Sequence, residues 1–257
     1  MENQPNRRGF IKSSTTAAAG AALLSSGIAR TAHAAGDDQI RFVVVGCGGR
    51  GTGAADQIMN TKGNVKMVAV ADAFQRNAET TIRSMSGRHQ NKVDVPPERI
   101  FTGLDAYKQA IDVECDLVVI ATPPGFKPQQ FEYAVSKGKH VFMEKPVASD
   151  APGVRRVLAA VEESKKKDLT VAIGLQRRHE PQYTETIERI HNGAIGDVIA
   201  MRVYWNGGGI WYRNRTADQT EMAFQTNNWY HFNWLSGDQI CEQHIHNIDV
   251  GCWVKGA

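Results

Sequence analysis

The feature that most constrains this 257-residue chain is a cluster of glycines set between a β-branched run and a helical pattern. Residues 40–45 read IRFVVV, a short buried strand. Gly46-Cys47-Gly48-Gly49-Arg50-Gly51 follows without a break, and an amphipathic helix is predicted near residues 53–59. A second apolar strand, residues 65–71, runs straight into Asp72, about 20 residues past the cluster. A G-x-G-x-x-G pattern alone says little. Strand, loop, helix and acidic residue at this spacing form the context of a dinucleotide fingerprint. Gly46 allows the tight turn, Gly48 lets a pyrophosphate approach the backbone, and Gly51 lets helix and strand pack closely. Gly49 and Arg50 open the helix, whose N-terminal amides and partial positive charge attract phosphate. Asp72 is placed to accept the adenosine ribose hydroxyls and to repel a 2′-phosphate, which favours NAD. Arg76, one turn later, leaves NADP possible.

The alternation continues. Helical patterns at residues 74–85, 107–111 and 129–136 separate apolar strands at 99–102, 117–121 and 141–143. Ser149 or Asp150 can cap the next helix, with Pro152 in its first turn and Lys165–Lys167 at its C-terminal end. A further strand is predicted at 170–173. Strands separated by helices of this length form a parallel sheet covered on both faces. The fold class is therefore α/β, a doubly wound Rossmann domain over residues 38–175. Residues 176–257 read as the beginning of a second, substrate domain. It holds a helix near 182–191, a longer strand at 197–205 with one better-buried face, an irregular tract to 228, and a helix at 240–254. One half-buried strand without neighbours cannot make a stable sheet. The chain is accordingly expected to be truncated, with a loose C-terminal quarter.

Arg7, Arg8, Lys12 and Arg30 against Glu2 account for the whole formal charge of +3, so the rest of the chain is near neutral. It offers no basic patch for nucleic acid. Asn6-Arg7-Arg8-Gly9-Phe10-Ile11-Lys12 resembles the twin-arginine export motif, followed by a weakly apolar stretch and the small-x-small site Ala32-His33-Ala34. Residues 1–34 are read as a signal peptide. The expected location is the periplasm, reached through the twin-arginine machinery with a tightly held cofactor in place. Cys47, Cys115, Cys241 and Cys252 lack metal-ligand spacing and are expected to be free, mostly buried thiols.

Four landmarks together resemble the Gfo/Idh/MocA family of glucose–fructose oxidoreductase, inositol dehydrogenase and rhizopine-catabolism proteins. They are the GCGGRG loop, Ala121-Thr122-Pro123-Pro124, Glu144-Lys145-Pro146, and Glu242 with His246 and Asp249. The resemblance runs from about Ile40 to the end. It implies a Rossmann domain joined to an open, mostly antiparallel α/β domain. The implied activity is hydride transfer between a nicotinamide and a sugar- or polyol-type secondary alcohol, and a homo-oligomer is expected at full length.

By that resemblance Lys145 acts beside the nicotinamide, with a following peptide bond that is often cis. Glu144 borders the cofactor, and Thr122 and Pro123 pass beneath the nicotinamide ribose. The family's carboxylate four residues before a histidine maps onto Glu242 and His246, which share a face on a regular helix. Lys145 and His246 would exchange protons with the substrate hydroxyl, and Glu242 would orient substrate or imidazole. Two departures stand out: Glu242 where Asp is usual, and Gln130 where many members carry histidine. A metal site of Glu242, His244, His246 and His231 is the weaker reading, because helical spacing suits only one pair, and no metal is expected. Arg177, Arg178, His179 and Tyr183 are placed for substrate contacts or for surface salt bridges. Five tryptophans, all in the final quarter, suit either sugar faces or an interface. Two other functions fit the same residues. One is a redox-neutral glycosidase with retained NAD, the other a non-catalytic dinucleotide or sugar sensor.

Overall fold

Side-chain alternation along the first strand sets the layers of the molecule. In the computed structural model, which describes residues 39–256, β1 is Ile40–Val45. Its Val43 and Val45 enter one core, and Phe42 and Val44 enter another on the opposite face. The first core is closed by α3 (Ala106–Asp112), α4 (Lys127–Ser136) and α5 (Ala151–Lys166), through Ile111, Phe131 and Val157 among others. The second is closed by α1 (Gly49–Met59) and α2 (Gln75–Arg88), through Ala55, Met59, Ala78 and Met85. A sheet buried on both faces explains why its central strands are continuously apolar.

The remaining strands are β2 (Val65–Asp72), β3 (Ile100–Thr102), β4 (Leu117–Ile120), β5 (His140–Met143) and β6 (Val171–Ile173). All pair in parallel, in the order β3-β2-β1-β4-β5-β6. The chain reverses its direction of winding between β1 and β4. The crevice beyond their carboxyl ends is where doubly wound folds bind ligands. Asp150 caps α5 by accepting from Gly153 N at 2.7 Å, with Pro152 in the first turn as expected. The twin-arginine segment read in residues 1–34 lies outside the described residues.

Beyond the sheet, the helix expected near 182–191 is α6 (Pro181–His191). The strand expected at residues 197–205 does not form. A strand exists by pairing, and among the described residues no strand pairs with this tract, whose Ile199 is 91% exposed. The irregular tract contains one short helix, α7 (Glu221–Asn227), and a second, α8 (Asn233–Ser236), follows it. The last expected helix begins with a π-helical turn, Ile240–His244, and continues as α9 (Ile245–Val254). All four cysteines are free, but burial is less general than expected: Cys47 and Cys115 are buried, Cys241 is half-buried and Cys252 exposed.

Candidate active site

The glycine loop lies at the switch point and behaves as its spacing predicts. Gly46 has φ +94°, and a Cβ there would sit 2.7 Å from Ala121 C and Thr122 N at the end of β4. At Gly51 a Cβ would fall 1.8 Å from Gly46 O, so helix and loop approach as only glycine allows. A Cβ at Gly48 or Gly49 would meet nothing within 4 Å. No side chain caps α1, and its first-turn amides open toward the cleft. That cleft has a volume of about 810 Å³ and is lined by the loop, by Asp72, Phe74, Arg76 and Asn77, and by Thr122 and Pro123. The residues present therefore fit a dinucleotide: a bare backbone cradle faces open space at the N-terminus of a helix.

Asp72 lines this cleft, and three donors already hold its carboxylate. Oδ2 accepts from Cys47 N at 2.7 Å; Oδ1 accepts from Phe74 N at 2.9 Å and Asn77 Nδ2 at 3.0 Å. Burial pushes its pKa up, against the pull of those bonds. Asp72 thus ties the glycine loop to the start of α2, a scaffolding role the spacing alone did not reveal. About one lone-pair site of the carboxylate is left for a ribose hydroxyl. Arg50 is committed as well, its Nε pairing with Glu144 Oε1 at 2.7 Å. Glu144 lies against Gly174, where a Cβ would come 2.6 Å from its Oε2. The pair therefore links the first turn of α1 to the ends of β5 and β6. Thr122 donates its hydroxyl to Gln130 Oε1 at 2.6 Å, so Gln130 orients the Thr-Pro turn in place of a titrating histidine.

Lys145, Glu242 and His246 come together. Lys145 Nζ donates to the backbone oxygen of Glu242 and lies 3.2 Å from its Oε2. The Lys145–Pro146 peptide is cis. Glu242 is 5% exposed and His246 7%, both turned inward although a π turn replaces the regular helix assumed from the sequence. Burial raises the Glu242 pKa, and Lys145 and Lys127 pull it back down. Burial also lowers the His246 pKa, to about 4, helped by the positive charges of Lys145 and Arg177. The imidazole is therefore neutral at physiological pH. The Trp205 ring lies 5.9 Å from it, tilted by 34°.

Lys127 is the residue that sequence reasoning missed. Only 2% exposed, it donates to the backbone oxygens of Glu144, Lys145 and Pro146 at 2.8, 3.0 and 3.0 Å. Burial pushes its pKa down, to about 7, but three carbonyl acceptors match the three N–H donors of the charged form and hold the proton. Nothing in its local sequence distinguishes it from a solvated lysine at a helix start. Arg178 forms a two-pronged pair with Asp249 at 2.8–3.1 Å, joining the segment after β6 to α9. Arg177 donates to Asn247 Oδ1 and packs over Tyr183 and Trp205. His231 is turned to Trp211 O at 2.8 Å. Among the described residues no group of three or more His, Cys, Asp or Glu is arranged to hold a metal ion.

A six-stranded doubly wound sheet with a phosphate cradle at its switch point defines a dinucleotide-binding Rossmann protein. The chain belongs to the Gfo/Idh/MocA oxidoreductase family with an NAD-binding Rossmann fold, whose signature matches residues 40–173. It is 32% identical over 195 residues to an inositol 2-dehydrogenase of Rhizobium meliloti (strain 1021), covering 72% of this chain and 54% of that protein. A solved myo-inositol 2-dehydrogenase from Lactobacillus plantarum superposes with TM-score 0.64 at 26% identity, over 85% of this chain and 57% of that one. A scyllo-inositol dehydrogenase from Lactobacillus casei, solved with bound NAD(H) and scyllo-inositol, gives 0.61 at 25% identity, over the same 85% and 57%. The chain spans about half the length of the curated relatives it matches.

Proposed function

We propose that this protein is an NAD-dependent oxidoreductase that moves a hydride between the nicotinamide and a secondary alcohol of a polyol or sugar. The observation that carries the reading is the convergence of Lys145, Glu242 and His246 beside a cleft built for a dinucleotide. The kinship with inositol dehydrogenases supports a cyclic polyol or related sugar as substrate. Bound NAD would supply the hydride acceptor in oxidation and the donor in reduction. Lys145 spends two of its three N–H donors on Glu242 and keeps one for the substrate oxygen. His246, neutral through burial, accepts the hydroxyl proton as the carbonyl forms and returns it in the reverse direction. Glu242 holds the Lys145 ammonium in place.

Absorbance of NADH during incubation with NAD and inositols or sugars tests the reading. Lys145→Ala is expected to lower kcat by about 10²–10⁴ while leaving cofactor affinity within a few-fold. Alcohol released from a glycoside without net NADH would point to the redox-neutral glycosidase instead. Equal losses of cofactor affinity and rate would remove Lys145 from the chemistry.

The pair Arg7-Arg8 and the site Ala32-His33-Ala34 support a second reading, export to the periplasm by the twin-arginine route. Replacing both arginines by lysine should retain the protein in the cytoplasm. Unchanged fractionation would overturn this.

A further inference from the structure

The dinucleotide cleft has a second wall. Besides the glycine loop it is lined by Trp211, Arg213, Thr226, Asn227 and Trp229, from the tract in which no cofactor residue was expected. Asn227 also lines the adjoining cleft beside Phe74 and Arg76, at the ribose end of the site, together with Asn214. This wall is built, not loosely draped. Asn228 is fully buried; its Oδ1 accepts from Arg213 N at 2.7 Å and its Nδ2 donates to Arg213 O at 3.0 Å. The Arg213 guanidinium lies 4.3 Å over the Trp211 ring and donates through Nη1 to Asn227 O. The rest of its fork of donors is uncommitted among the described residues.

The uncommitted donors of Arg213 line the same cleft as the N-terminus of α1, so an anion held there can accept from both. The glycine loop contributes backbone amides, and its one cation, Arg50, is paired through Nε with Glu144. A pyrophosphate carries two negative charges and presents oxygens on both sides.

We propose that residues 211–229 form a strap completing the cofactor site, in which Arg213 binds the pyrophosphate face that the glycine loop leaves open. This rests on the reading of the cleft as a dinucleotide site. The strap slows release, so the cofactor is retained between turnovers rather than exchanged.

Calorimetry with NAD and with ADP-ribose, and stopped-flow release of NADH, on the full chain and its Arg213→Ala and Arg213→Lys variants test this. Arg213→Ala should weaken NAD and ADP-ribose alike, on the order of ten-fold or more, chiefly through faster release. Arg213→Lys should fall between, and adenosine, which lacks phosphate, should bind both variants and the parent equally. Hydrogen exchange across 211–229 in the parent protein should slow on adding NAD, a readout independent of whether a variant folds. If the parent binds NAD but Arg213→Ala keeps its affinity and release rate, or 211–229 gains no protection, the strap is wrong and the oxidoreductase reading survives. If the parent binds neither NAD nor ADP-ribose, both fall together.

Discussion

At His246 two influences act in the same direction. Burial comes first, and the positive charges of Lys145 and Arg177 add to it, so the folded pKa drops to about 4 from an ordinary 6.5. Between those values the unfolded chain binds a proton that the native imidazole refuses, so stability rises with pH across that window. The contribution is complete above about 6.5 and is lost as pH falls through about 4. Urea unfolding from pH 4 to 7 should therefore show a steeper loss toward acid in the parent than in His246→Gln. Equal slopes would mean that the histidine is not held neutral. Lys127 makes the complementary case, a charge kept because its acceptors are fixed. Lys127→Met would leave three buried carbonyls without a donor and should cost about 3 kcal/mol or more in unfolding free energy. Lys127→Arg should recover part of it. A melting temperature indifferent to Lys127→Met would show that those carbonyls find other partners. Neither effect is visible in sequence, since each depends on which backbone and which charges surround one atom.

The glycine loop is the element whose behaviour was most legible beforehand. Its glycines separate into two kinds that the structure makes distinct. Gly51→Ala must displace Gly46 O, 1.8 Å from the new Cβ, and is expected to destabilise the fold by about 3 kcal/mol. Gly48→Ala points into open cleft and should leave the melting temperature within about 1 °C while weakening NAD binding several-fold. Calorimetry and thermal melts on both variants separate the roles; a Gly48→Ala that binds NAD normally would move the cofactor away from this loop. The helix carrying Glu242 and His246 was less legible. A regular helix puts residues four apart on one face, and that inference held in outcome although the turn is π-helical. The inward direction of both side chains comes from Lys145 drawing the turn onto the sheet edge.

Across the whole molecule, the ordered sheet contrasts with the exposed tract at 197–205. The tract alternates as a strand should, yet Ile199 and Tyr204 are exposed and no ladder forms. Ile199→Asp should accordingly leave this chain's melting temperature unchanged within about 1 °C and reduce any concentration-dependent association. A fall of several degrees would mean that Ile199 is packed. Alternation specifies a face, but pairing needs a neighbour, and that is a property of the assembly rather than of the segment.

Local pattern determined what depends on neighbours along the chain. The β-branched runs and helical periods set the alternating elements, the glycine spacing set the phosphate cradle, and the position of Glu144-Lys145-Pro146 after a strand put Lys145 at the sheet's carboxyl edge. Only tertiary structure decided the rest. It brought Lys145 against Glu242 across 97 residues, fixed Lys127 beneath the Glu144–Pro146 backbone, committed Asp72 to Cys47, and brought residues of 211–229 to the cleft. These contacts join segments far apart in sequence. Their partners are chosen by burial, charge and unsatisfied hydrogen bonds in three dimensions, which no periodicity along the chain encodes.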